Sequence, residues 1–156
     1  MSQSKWRENY AHLVAIVQET IPQSDPGTRF RDIREEMTGD WEEMAGRGLS
    51  RQFILRQEEP PHDDGSTGIQ RRRMRVGMAL EVLYPRGLQG EFLSGEDGPL
   101  LEARLRLYAG CGVDCTIEHI PPSDVPELTD IGTDGRTGSV LLRILFDVIY
   151  MEDNTP

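Results

Sequence analysis

The stretch Met74-Arg-Val-Gly-Met-Ala-Leu-Glu-Val-Leu-Tyr84 alternates along its whole length, and its reading decides the fold. Met74, Val76, Met78, Leu80, Val82 and Tyr84 fall on one side of a two-residue period, with Arg75, Gly77, Ala79, Glu81 and Leu83 on the other. Successive side chains of a strand point to opposite faces of its sheet, so this run is a long strand with one apolar face. Val140-Leu-Leu-Arg-Ile-Leu-Phe-Asp-Val-Ile-Tyr-Met151 repeats the design, with Val140, Leu142, Ile144, Phe146, Val148 and Tyr150 in phase. Both runs exceed the usual strand of about five or six residues. They predict a sheet that reaches beyond its own core.

Working outward, Leu49–Gln57 is a third strand with Phe53 and Leu55 on one side, and Val113–Ile120 is a fourth. Thr28–Ile33 supplies a short fifth, followed by Arg34–Ala45 as either an acidic helix or an irregular segment. Between Leu49–Gln57 and the Met74 run lies 58–70, rich in Pro and Gly, which reads as a flexible loop at the tip of a hairpin. Trp6, Tyr10, Leu13, Val14 and Val17 recur at helical spacing behind Ser4, a candidate N-cap. That helix must stop before Ile21-Pro22, because the residue preceding a proline is pushed out of helical geometry. Arg86–Gly95 reads as a loop, after which Asp97 and Pro99 open a helix carrying Leu101, Leu105 and Tyr108 and ending at Gly110 and Gly112. Pro121–Pro126 and Ile131–Gly138 are turn-rich, and 152–156 is a short polar tail. The order predicts an α+β fold: a mostly antiparallel sheet of four to five strands, with two main helices packed on one face. The chain has the size of a single domain, 1–156.

The net charge is −10, which disfavours non-specific attachment to nucleic acid or anionic membrane. The charge is unevenly spread: residues 51–86 sum to +2 and residues 87–156 to −9. A basic middle and an acidic end suit a head-to-tail contact between copies; simple solubility is the plainer reading. Of the 17 basic residues only Lys5 is a lysine, and arginine is the better residue for bidentate pairs, although a GC-rich genome produces the same bias. No apolar run approaches membrane-spanning length and the N-terminus lacks a leader pattern, so the expected compartment is cytoplasmic.

Candidate chemistry is sparse. Cys111, Cys115 and His119 lie four apart, but on a strand the outer two stand roughly 26 Å from each other, too far for one zinc ion. His62-Asp63-Asp64 lacks the offsets of a calcium loop, and Asp130 and Asp134 read as turn residues. No Gly-x-Ser-x-Gly elbow, P-loop or dinucleotide fingerprint occurs. The expectation is no catalytic residue, no metal site and no cofactor. The one dense basic patch is Arg71, Arg72, Arg73 and Arg75. It reads as a charged strand start paired across the hairpin with Glu58, Glu59, Asp63 and Asp64, or as an inter-subunit contact with acidic groups of a neighbouring copy. On the inner wall of a ring around DNA it would instead be lumen-facing.

An amphipathic helix, the long-looped hairpin Leu49–Gln57/Gln70–Tyr84, the Asp97 helix and the terminal run Ser139-Val-Leu-Leu-Arg-Ile-Leu-Phe-Asp-Val-Ile-Tyr-Met-Glu-Asp come in a telling order. In that order and in size, over most of its length, the chain resembles the tail terminator (tail completion) proteins of long-tailed bacteriophages and related phage-like particles, of the minor tail protein U type. The resemblance implies a homo-oligomeric ring, a hexamer, seated on the last ring of tail-tube protein. Such a ring ends tube polymerisation and offers a surface to the head connector or neck protein. DNA would be met only in passing through the lumen, and no membrane would take part. The implied location is the tail–neck junction of the virion, after synthesis in the host cytoplasm; a gene transfer agent fits equally. The alternatives are a neck, head-completion or tail-tube protein of the same particle, or a small soluble ligand-binding domain or enzyme.

Overall fold

The computed structural model describes residues 5–23, 27–35, 41, 51–66, 71–85, 88–107, 115–119, 127–131 and 139–153. In chain order these form α1 (Lys5–Glu19), β1 (Arg31–Asp32), β2 (Gln52–Gln57), β3 (His62–Ser66) and β4 (Arg71–Tyr84). Then follow α2 (Leu88–Arg106), β5 (Cys115–His119), β6 (Glu127–Ile131) and β7 (Ser139–Asp153). The fold is α+β, as the alternation of the two long runs predicts.

β4 and β7 form the spine of the sheet. They pair antiparallel without a break from Arg71↔Asp153 to Tyr84↔Val140, a ribbon about 45 Å long at the usual rise per residue. β2 and β3 lie end to end along the outer side of β4, and β5 and β6 likewise along β7. Across its width the sheet therefore runs β1-β2-β4-β7-β5, and all pairings are antiparallel except β1 with β2.

The register decides the core. Because Met74 faces Tyr150, the two alternating patterns fall in phase and present one continuous apolar surface. All twelve in-phase residues of the two runs are buried in one cluster with Phe53 and Leu55, under Leu13 and Val17 of α1 and Leu93, Leu101 and Leu105 of α2. Both helices thus cover the same face. A smaller cluster of Ile33, Trp41, Ile54, Leu83 and Leu141 closes part of the opposite face. Burial on the helix side continues out to Met74 and Tyr150, so only the last residues of the ribbon pass beyond the core.

Four segments differ from the sequence reading. The supposed loop 58–70 contains β3: the chain kinks at Pro60-Pro61, where two imino nitrogens interrupt the ladder, and then pairs again with β4. Glu58 and Glu59 both donate their amides to the Gly77 carbonyl at that break.

α2 begins at Leu88, within the expected loop, and Pro99 lies inside it and not at its start. Proline cannot bond the Gly95 carbonyl one turn earlier, but both residues are exposed, which leaves that acceptor open to solvent. The helix persists because Leu93, Ser94, Asp97, Leu101 and Leu105 are buried along its inner side. β6 occupies a stretch between two turn-rich segments for which no strand was expected. β7 runs on through Glu152 and Asp153, so the tail is shorter than 152–156. Ser4, Tyr108, Gly110, Cys111, Gly112 and Asp134, and the greater part of Arg34–Ala45, lie outside the described residues.

Candidate functional site

Arg71, Arg72, Arg73 and Arg75 open β4, beside the last residues of β7. Alternation splits them: Arg73 and Arg75 belong to the face away from the helices, and Arg72 to the helix side. Two of them meet acidic side chains of β7. Arg75 Nη1 donates to Asp147 Oδ2 at 2.8 Å, and Arg72 Nη2 lies 3.6 Å from Glu152 Oε2. The hairpin arm meets the same stretch through its backbone, with His62 opposite Arg75 and Ser66 opposite Arg72. Arg72 Nε is buried and has no hydrogen-bond partner among the described residues.

The ion pairs continue along the face away from the helices. Glu81 accepts from Arg56 Nε at 2.7 Å and from Trp41 Nε1 at 3.3 Å, and Arg143 Nε lies 3.6 Å from it. Arg143 also pairs with Glu58, tying the Pro60-Pro61 kink to β7. These charges are the residues out of phase with the core pattern, so the alternation that builds the core also lines them up here.

A different arrangement sits at the other end of the sheet, on the helix side. Arg51 is fully buried. Its Nε and Nη2 grip Asp97 Oδ2 and Oδ1 at 2.7 and 3.1 Å, and its Nη1 donates to the Thr28 carbonyl at 3.3 Å. Tyr84 adds a 2.6 Å bond from its hydroxyl to Asp97 Oδ2. Burial and the neighbouring Asp97 carboxylate push the Tyr84 phenol far above its ordinary range. Arg51 holds φ at 60°, a conformation costly for a residue with a Cβ. The bend lets its amide bond Leu83 of β4 while its carbonyl accepts from Arg31 of β1. Asp97, which reads as an N-cap from the sequence, is therefore the carboxylate that docks α2 onto the sheet. Neither Arg51 nor Tyr84 stands out in the sequence as a polar hub. The available signal was Asp97 on the four-residue stripe Leu93, Asp97, Leu101, Leu105, an acid among core positions.

The third feature is a groove of about 600 Å³ where α1 overhangs the β2 edge. It is lined by Trp6, Arg7 and Tyr10 of α1, by Arg34, and by Ile54, Leu55, Arg56 and Gln57 of β2. Trp6 stacks on Tyr150 at 5.9 Å and donates to Gln57 Oε1 at 3.1 Å, while Tyr10 donates its hydroxyl to the Leu55 carbonyl at 2.8 Å. The Arg34 guanidinium covers the Tyr10 ring at 4.9 Å. Burial raises the Tyr10 phenol, against the lowering pull of Arg34.

Cys115 and His119 stand at opposite ends of β5, opposite Tyr150 and Asp147 of β7. Among the described residues no group of three or more His, Cys, Asp or Glu side chains is placed to hold a metal ion. His62 and Asp63 pair with Arg75 and Met74 as part of β3, and Asp130 pairs with Val140 as part of β6, so neither cluster is a simple loop tip. No described helix is long and apolar enough to cross a membrane. No protein-family model matches the chain, and no curated protein matches it in sequence.

Proposed function

We propose that this chain is a structural virion protein, a tail terminator that closes into a ring, caps the tail tube and joins it to the head connector or neck protein. The observation that carries the reading is the β4–β7 spine, fourteen residue pairs held under two helices, in the element order of that family. A ring that must bear on a tube and a connector needs a stiff, extended element, and an unbroken antiparallel ribbon supplies one. In this role Arg71, Arg72, Arg73 and Arg75 face a neighbouring subunit or the lumen. Arg72 and Arg75 are about two-fifths and one-quarter exposed beside Glu152 and Asp147. The protein acts without catalysis or a cofactor.

The test is an assembly assay with the tube protein of the same particle. Added during tube growth, the chain should shorten the tubes seen by electron microscopy and appear as a disc at one end. Tubes of unchanged length with bare ends would refute the reading. A second reading, a small ligand-binding domain, draws on the groove at β2; a monomer that binds a small anion tightly would favour it.

A further inference from the structure

The outer side of α2 carries an apolar stripe with charges along both flanks. Phe92 is 62% exposed and Leu107, just past the helix end, 79%. Leu107 continues the helical bonding, its amide donating to the Ala103 carbonyl at 3.3 Å. At about 100° per residue, Phe92 and Leu107 lie within about 60° of each other around the helix axis. Pro99 and Ala103, also exposed, fill the line between them. Four exposed charged residues border this stripe, Glu91 and Glu96 in the first half of the helix and Arg104 and Arg106 in its last turn. By the same rotation Glu96 and Arg104 fall on one side of the stripe, and Glu91 and Arg106 on the other. No ion pair or hydrogen bond with another described residue occupies these four side chains.

The pattern complements itself. Turned about a two-fold axis between Pro99 and Leu100, a second α2 runs antiparallel to the first and sets Phe92 of each copy beside Leu107 of the other. The axis keeps each flank of the stripe on its own side. Glu96 of one copy therefore meets Arg104 of the other and Glu91 meets Arg106, each pair level to within about 3 Å at the usual helical rise. A parallel pairing would set glutamates against glutamates and arginines against arginines. We infer that α2 docks antiparallel on α2 of a second copy. Burial of Phe92 and Leu107 drives the contact, and the glutamate–arginine pairs fix its direction. A two-fold contact is complete at two copies and takes no part in closing a ring. A ring with one face for a tube and another for a connector contains no such axis, so the pair forms between chains not yet built into one. The inference goes beyond the ring reading and does not rest on it.

The experiment is disulfide trapping in the full-length protein carrying Cys111→Ser and Cys115→Ser. Pro99→Cys puts a thiol beside the axis, where it meets its own mate. Gln18→Cys, at an exposed position of α1, reports chance collision. Under air oxidation the first should give a covalent dimer on a non-reducing gel at least tenfold faster than the second. Added to Pro99→Cys, Glu91→Arg/Glu96→Arg and Arg104→Glu/Arg106→Glu should each slow the dimer at least tenfold. An equal mixture of the two should restore it, because their reversed charges complement each other. Pro99 and the four charged residues are exposed, so every variant should fold, as circular dichroism checks. A folded Pro99→Cys protein that cross-links no faster than Gln18→Cys would overturn the pairing. So would reversed proteins that keep the parent's rate, or a mixture that fails to recover it. The tube-growth assay judges the ring reading separately from these results.

Discussion

Two sets of ion pairs stand on opposite faces of one sheet, and they do different work. Arg51–Asp97 lies under α2 with both side chains at or below 1% exposure, bidentate, and completed by Tyr84. Arg75–Asp147 lies on the face away from the helices with about a quarter of each side chain exposed. The contact distances are nearly equal, 2.7 and 2.8 Å. What differs is the water each pair has given up. A buried charge that loses its partner cannot be rehydrated without unfolding, whereas a partly exposed one turns to solvent. The buried pair thus fixes how helix and sheet dock, and the exposed pairs leave charge available at the surface.

The largest effect should come from Asp97→Ala, which strands the Arg51 guanidinium under α2. Urea unfolding should show a loss of about 3–5 kcal/mol. Replacing both partners by apolar residues, Arg51→Met with Asp97→Leu, should cost less than Asp97→Ala alone. A double variant as unstable as the sum of its singles would break the comparison.

Gly90→Ala should follow, at about 1–3 kcal/mol for an overpacked site, because its Cβ would run into the Pro85 carbonyl oxygen. On the exposed side, Asp147→Ala should cost no more than about 1 kcal/mol. A loss as large as that of Asp97→Ala would show that the outer ladder is structural too.

The pH dependence sharpens the contrast. Tyr84 in the folded protein holds its proton far above the ordinary tyrosine value. The unfolded chain releases that proton near pH 10. Above that pH the folded state binds more protons than the unfolded one, so the contribution is complete below about pH 10 and is lost as pH rises further. Tyr84→Phe should flatten the alkaline fall in stability measured from about pH 9 to 11, and Tyr10→Phe should flatten it less. Equal slopes in parent and Tyr84→Phe would contradict the burial of that phenol beside Asp97.

The sequence carried the sheet further than the site. In β4 and β7 the period of two and the core face coincide over more than ten residues, so the pattern had no competitor. α1 is legible for the same reason, its apolar stripe being intact from Trp6 to Val17. β3 was hidden by Pro60-Pro61 next to it and by a run of Asp, Gly and Ser with low strand propensity; pairing to β4 overrides that preference. The first half of α2 was hidden by Gly90, Gly95, Gly98 and Pro99, residues that weaken a helix unless tertiary burial holds it.

The hub was missed for a subtler reason. Arg51 is brought to Asp97 by topology across 46 residues, and neither residue has a local pattern that points to the other. The four arginines at the start of β4 were visible as a patch, but the ion pairs of Arg72 and Arg75 to β7 depend on a register that only the folded sheet supplies.

The most direct measurement is the mass of the purified protein in solution, by light scattering across a salt series. The account predicts a discrete ring of about six copies at low salt that comes apart as salt screens the arginine–carboxylate contacts. A strict monomer at every salt concentration, unchanged when tube protein is added, would contradict it.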